Sequence, residues 1–148
     1  MVIALGSPAP AVAGVEQEGP RAFVFYKSTC SVTEMAGTAI AKLGDAYPGS
    51  ITGVGQDPPD TLDAFATKLG WTFTQIPDLA PYVASDAYGI QSAPTVVVID
   101  TNGTVADAVE SWDRDGMNRV SATLAGLLGV EPVVLSTPDD GLPDFKPG

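Results

Sequence analysis

Short apolar segments alternate with segments of helical periodicity along most of this chain, and that alternation limits the folds available to it. Strands are predicted at 22–26, 51–55, 72–76, 95–100 and 104–109, and helices at 31–47, 62–69, 81–88 and 117–127. Such an order favours parallel strands covered by helices, and Asn102-Gly103 favours an antiparallel hairpin near the end. We therefore predict an α/β fold with a central mixed β-sheet flanked by helices on both faces.

Two of the predicted helices have residues at their ends that are typical of helix caps. Asp57 and Asp60 precede the helix 62–69 and are candidate N-caps. Gly70 and Gly129 follow the helices 62–69 and 117–127, where a glycine in the left-handed conformation commonly ends a helix.

The length of 148 residues is that of one domain, and 45% of the residues are hydrophobic, which is enough for a core. We predict this domain over residues 1–130. Residues 131–148 are rich in proline and aspartate and form a poor core sequence. This segment, called the tail below, is predicted to lie on the surface or to be disordered.

Charge and composition exclude several classes of function. The net charge is −11 and the chain has no histidine, so it lacks a basic surface for phosphates and the commonest metal ligand and general base. We expect no nucleic-acid partner, no cofactor and no metal. No apolar run is long enough to span a bilayer and the first residues lack a signal-peptide pattern, which predicts a cytoplasmic protein without membrane association. The sequence does not predict an oligomeric state.

Cys30 is the only cysteine, and it stands where the strand 22–26 ends and a helix begins. Ser31 and Glu34 have the spacing of a capping box, which predicts Ser31 as the N-cap. In α/β proteins reactive groups sit at the carboxyl ends of strands, and both the helix N-terminus and Lys27 favour a thiolate. Cys30 is therefore interpreted either as a nucleophile or as a small apolar residue that fills space.

A second feature is Ala93-Pro94, immediately before the strand 95–100. A proline at the first position of a strand is tolerated because its missing amide need not join the ladder. The alternative is a cis Ala93–Pro94 bond that shapes a turn.

Two segments together resemble the thioredoxin-like superfamily. "FVFYKSTCSVTEM" (23–35) is similar to the strand, active-site cysteine and helix of that family, and "IQSAPTVVVIDTNGTV" (90–105) to its cis-proline loop, strand and turn. The segments 7–10 and 53–73 resemble the AhpC/TSA (peroxiredoxin-like) and TlpA-type branch. The resemblance covers about 4–129 and implies a thioredoxin-like fold.

The chain departs from the motifs of these families at several positions. Thr33 stands where C-x-x-C proteins have a second cysteine, giving C-x-x-T, and Val24 replaces a buried aspartate of thioredoxins. Phe23 and Lys27 occupy the proline and threonine positions of the peroxiredoxin motif P-x-x-x-T-x-x-C. A single cysteine cannot form an intramolecular disulfide, so any redox cycle needs a sulfur from another molecule.

The resemblance implies a monothiol thiol-disulfide oxidoreductase that acts with an external thiol reductant or a protein disulfide. Cys30 is the predicted nucleophile, and Ala93, Pro94 and Lys27 are predicted to bind the substrate. Thr33 is interpreted either as a donor of a hydrogen bond to the Cys30 thiolate or as a residue that only fills space in the helix. Two alternatives stay open: a one-cysteine peroxidase, and a redox-inactive module that binds peptides. Tyr26 and Trp71 are interpreted as core or rim residues and Gln56 as a residue of the pocket edge.

Overall fold

The computed structural model describes residues 1–16 and 18–148. Its strands are β1 Arg21–Tyr26, β2 Ile51–Gly55, β3 Thr74–Pro77, β4 Thr95–Ile99, β5 Val105–Glu110, β6 Trp112–Asp113 and β7 Phe145–Lys146. Its helices are α1 Ser31–Met35, α2 Gly37–Ala46, α3 Pro59–Leu69, α4 Val83–Ala87 and α5 Arg114–Leu128.

Five strands form the central sheet in the order β3-β2-β1-β4-β5. The β1, β2 and β3 strands run parallel, whereas β4 is antiparallel to both of its neighbours, β1 and β5. The remaining two strands, β6 and β7, form a separate antiparallel pair. The predicted mixed sheet is confirmed.

Both faces of the sheet are buried, which explains the nearly continuous apolar sequences of β1 and β4. Alternate residues of β1 point to opposite faces. Ala22, Val24 and Tyr26 pack with α2, α3 and α5. Phe23 and Phe25 pack on the opposite face with α4 and the N-terminal segment. The predicted arrangement of helices on both faces is therefore confirmed.

The helix predicted over 31–47 is interrupted at Ala36, between α1 and α2. The interruption lies where the end of α3 packs closely on the chain. The Gly37 carbonyl accepts a hydrogen bond of 2.9 Å from the Trp71 indole, and a Cβ atom at position 37 would lie 2.8 Å from the Leu69 side chain. A single uninterrupted helix was the wrong prediction because these contacts come from a distant segment.

Other helix boundaries differ less from the sequence pattern. Gly70 and Gly129 adopt left-handed conformations at the ends of α3 and α5, as predicted. The predicted carboxylate caps of α3 are wrong, because Pro58 occupies the N-cap position and makes no side-chain hydrogen bond. The α5 helix starts earlier than its apolar stripe because the Asp113 carboxylate accepts a hydrogen bond of 3.0 Å from the Gly116 amide.

The tail lies on the surface but also contributes to the core. Leu135 is only 1% exposed and packs in the cluster that contains α5. The buried Arg114 guanidinium holds the tail by donating to Ser136 Oγ at 3.0 Å and to the Leu142 carbonyl at 2.7 Å, and by pairing with Asp144. The division of the chain at residue 130 stays a prediction.

The tail carboxylate of Asp140 makes a pH-dependent contribution to the stability of the fold. The Ser136 hydroxyl, followed by the Leu142 amide and Arg114, holds the pKa of Asp140 below its ordinary value. A carboxylate with a lowered pKa stabilises the folded state at neutral pH. This contribution is complete above the ordinary pKa of about 3.9 and is lost as the pH falls through the lowered value.

Candidate functional site

The loop between β1 and α1 places Cys30 at the carboxyl end of the central strand. The Asp57 carboxylate, which was predicted to cap α3, instead accepts a hydrogen bond of 2.8 Å from the Ser28 amide. The Cys30 amide donates to the Lys27 carbonyl at 3.2 Å, which closes a tight turn. Asp57 lies two residues after the end of β2, so the segments that follow two neighbouring strands together fix the position of the cysteine.

Cys30 itself is the N-cap residue of α1, one position earlier than the capping box predicts. Its backbone is extended, with φ −84° and ψ 118°, and its carbonyl accepts from the Glu34 amide at 3.2 Å. Ser31 is exposed and is the first helical residue, and the Glu34 carboxylate pairs with Lys68 at 2.6 Å. The predicted capping box is therefore wrong, and the side chain of the actual N-cap residue, Cys30, makes no capping hydrogen bond.

The thiol contacts the loop that precedes β4. Cys30 is partly exposed, and its Sγ donates a hydrogen bond of 3.3 Å to the Ala93 carbonyl oxygen. The Ala93–Pro94 peptide bond is cis, and Pro94 is buried. Hydrogen bonds from Thr95 Oγ1 to the Ser92 carbonyl and from the Ser111 amide to the Pro94 carbonyl hold this loop.

A cavity of about 410 Å³ opens beside Cys30 and is called the Cys30 groove below. It is lined by Phe25, Tyr26, Lys27, Thr29, Cys30, Gln56, Ser85, Ile90, Gln91, Ser92, Ala93 and Gly148. Among the residues singled out from the sequence, Lys27, Cys30 and Ala93 thus meet here, together with Tyr26 and Gln56.

Three other predicted residues do not line the groove. Pro94 and Thr33 are buried, and Trp71 packs in the core. Ser85 and Gln91 also line the groove, although neither was predicted from the sequence as a site residue. Gln91 could have been found from its nearness to Ala93, whereas Ser85 lies on α4 and carries no local signal.

Tyr26 forms one wall of the groove and is fixed by aromatic packing. Its ring stacks on Phe65 at 5.7 Å between ring centres and meets Trp71 edge-on at 5.0 Å. The hydroxyl donates to Gln75 Oε1 at 2.7 Å. Burial, with smaller contributions from nearby carboxylates that include Asp57, raises the pKa of Tyr26. Its phenol is therefore a neutral hydrogen-bond donor at physiological pH.

Thr33 is fully buried in α1, and its Oγ1 has no hydrogen-bond partner. The sulfur of Cys30 bonds instead to the Ala93 carbonyl. Donation from Thr33 to a thiolate stays a prediction.

Replacing Thr33 by Val removes this unpaired hydroxyl while keeping the branched shape. We expect the free energy of unfolding to rise by about 1 kcal/mol, because a buried hydroxyl without a partner carries an uncompensated desolvation cost. Urea denaturation measures the change. Thr38→Val, at an exposed position of α2, is the control and should stay within about 0.5 kcal/mol of wild type. A less stable Thr33→Val protein would contradict the assignment of an unpaired hydroxyl.

The described residues contain no group of three or more His, Cys, Asp or Glu side chains placed to hold a metal ion. In the same part of the chain, no helix is both long and apolar enough to cross a membrane. The ionisable side chains that line the groove are Tyr26, Lys27 and Cys30. The groove therefore presents to a ligand one thiol, from Cys30, beside the cation of Lys27 and exposed backbone groups.

No protein-family model matches the chain, and no curated protein sequence gives a significant match. Solved structures match in fold. The thioredoxin domain of a thiol-disulfide oxidoreductase from Bacteroides vulgatus aligns with a TM-score of 0.67 and 18% identity, over 82% of this chain and 99% of that chain. A secreted Mycobacterium tuberculosis disulfide oxidoreductase homologous to E. coli DsbE aligns with a TM-score of 0.60 and 19% identity, over 74% and 82%.

A third structure, of a thioredoxin-like protein in its oxidised form, aligns with a TM-score of 0.66 and 17% identity over 84% of this chain and 97% of that chain. At these identities the similarity establishes the fold. The chain has the thioredoxin-like fold, as the sequence predicts. The finer assignment to the AhpC/TSA and TlpA-type branch stays a prediction.

Proposed function

We propose that the protein is a monothiol thiol-disulfide oxidoreductase in which Cys30 is the nucleophile. The observation that carries the proposal is that Cys30 is partly exposed and lines an open groove, with its sulfur 3.3 Å from the Ala93 carbonyl oxygen. The similar folds of two thiol-disulfide oxidoreductases support it. A cysteine that only fills core space would not need to line a groove of this size.

The reaction has two exchange steps. The Cys30 thiolate attacks one sulfur of a partner disulfide, forming a mixed disulfide, while the partner's other sulfur leaves as a thiolate and takes up a proton. A low-molecular-weight thiolate of the glutathione class then attacks the partner's sulfur in the mixed disulfide. A disulfide forms between partner and reductant, and Cys30 is released as a thiolate. The external thiol is required because the chain has no second cysteine.

The partner is proposed to bind through backbone groups of the Ala93 loop. An extended chain can pair there beside the sulfur, with Pro94 shaping the loop and Lys27 at the exposed rim. A groove with few charged side chains suits a peptide segment better than a small charged metabolite.

Direct reduction of peroxide is the less supported alternative. The peroxiredoxin motif positions hold Phe23, which is buried in the core, and Lys27, which has no hydroxyl. No arginine lines the groove among the described residues. Peroxide therefore lacks both the hydroxyl and the guanidinium that would orient it.

Intact-mass spectrometry tests the proposal. We expect oxidised glutathione to add one glutathionyl group to the wild-type protein, reduced glutathione to remove it, and Cys30→Ser to show neither reaction. Hydrogen peroxide should react with the protein no faster than with free cysteine. Rapid conversion to a sulfenic acid by peroxide would favour the peroxidase. No reaction with either oxidant would favour a redox-inactive binding module.

A further inference from the structure

The tail reaches the Cys30 groove. Gly148 lines the groove, and its amide donates a hydrogen bond of 3.1 Å to Ser111 Oγ. Its backbone lies so close to the Ala93 carbonyl oxygen that a Cβ atom on residue 148 would be 1.9 Å from it. The same carbonyl accepts the hydrogen bond from the Cys30 sulfur. One backbone group of the Ala93 loop therefore faces both the thiol and the tail.

The tail is attached in two parts of unequal strength. Its first part is held by the buried Leu135, by Arg114, and by a hydrogen bond of 2.7 Å from the Trp112 indole to the Pro143 carbonyl. Its second part, residues 145–148, has exposed side chains throughout and is held by the short pairing of β7 with β6 and by the Ser111 contact. The second part can therefore detach while the first stays in place.

We propose that segment 145–148 occupies the place beside Ala93 where an extended chain of a protein partner binds, so that a partner must displace it to reach Cys30. This inference rests on the proposed function only for the identity of the partner. Phe145 and Lys146 of this segment pair antiparallel with β6, which is the geometry of a peptide bound along a strand edge, and Gly148 lies against the Ala93 carbonyl. It acts as an internal competitor that lowers the apparent affinity for partners by the fraction of time that it is seated.

Three single-residue variants of the protein test this arrangement. Lys146→Pro removes a backbone N–H group from β7, and Gly148→Ala introduces a Cβ atom that would clash with the Ala93 carbonyl. Lys146→Ala is the matched control, because it loses the same side chain but keeps the amide. None of these positions is in the core. Thermal denaturation confirms that each variant is folded.

The readout is the rate at which Cys30 is alkylated by two reagents of different size. A maleimide coupled to a polyethylene glycol chain should react about tenfold faster with Lys146→Pro and Gly148→Ala than with wild type and Lys146→Ala. Iodoacetamide should react with all four proteins at similar rates, because Cys30 is already partly exposed and lines the groove. Equal rates for the bulky reagent, or equal acceleration of both reagents, would overturn the proposal.

Alkylation does not involve disulfide exchange, so the two proposals can fail separately. Size-dependent alkylation without exchange with oxidised glutathione would keep the displaceable segment and reject the oxidoreductase. If the protein exchanges with oxidised glutathione but the tail variants do not change alkylation, the oxidoreductase is kept and the displaceable segment is rejected.

Discussion

A Thr33→Cys variant is expected to complete disulfide exchange without an external thiol. The new cysteine would lie three residues after Cys30 and complete the C-x-x-C spacing of dithiol redox motifs at the start of α1. An internal thiol attacks the mixed disulfide at a high effective concentration. We expect release at least about 100-fold faster than from wild type at micromolar external thiol.

Reaction with 5,5′-dithiobis(2-nitrobenzoate) distinguishes the two proteins by stoichiometry. Wild type has one cysteine, so it should release one equivalent of thionitrobenzoate and keep the other aryl group bound. Thr33→Cys should release two equivalents and end as an internal disulfide with no aryl group. Thr33→Ser is the matched control and should behave as wild type. Two aryl groups retained on Thr33→Cys would contradict the predicted geometry.

Truncating the buried tail residue Leu135 is expected to destabilise the folded protein. Leu135→Ala is expected to lower the free energy of unfolding by about 2 to 5 kcal/mol, because truncating a buried leucine removes apolar contacts and leaves a cavity in the core. Leu135 is only 1% exposed although it lies among prolines and aspartates. Urea denaturation measures the change.

Val134→Ala is the matched control because the two residues are adjacent. Val134 is 60% exposed, so its truncation should cost less than about 0.5 kcal/mol. If both variants have the same stability, the tail does not pack as described. The contrast therefore tests whether residues 131–148 belong to the folded unit.

Much of the fold is visible in the sequence because burial on both faces leaves a strong pattern. The β1 and β4 strands are short apolar runs between polar segments, and Gly70 and Gly129 end helices for a local steric reason. The break at Ala36 is different. It lies at a tertiary contact with Trp71, and local periodicity carries no information about that contact.

The site residues also fall into those that a local sequence signal predicts and those that depend on tertiary contacts. Cys30 and Ala93 could be predicted because each lies within four residues of the end of a central strand, and the sheet brings these ends together. The N-cap shift from Ser31 to Cys30 was not predictable, since Glu34 is drawn to Lys68 of another helix. Gly148 also escaped prediction because its place depends on how the whole tail packs.

Whether the fold makes Cys30 a reactive nucleophile is tested by comparing this cysteine in the folded protein and in a short peptide. The second-order rate constant for reaction with oxidised glutathione at neutral pH is measured for the folded protein and for a peptide with the sequence of residues 23–35. If the fold makes Cys30 a nucleophile, the protein should react about tenfold faster than the peptide or more. A rate constant equal to or below that of the peptide would contradict the claim that the fold makes Cys30 a nucleophile.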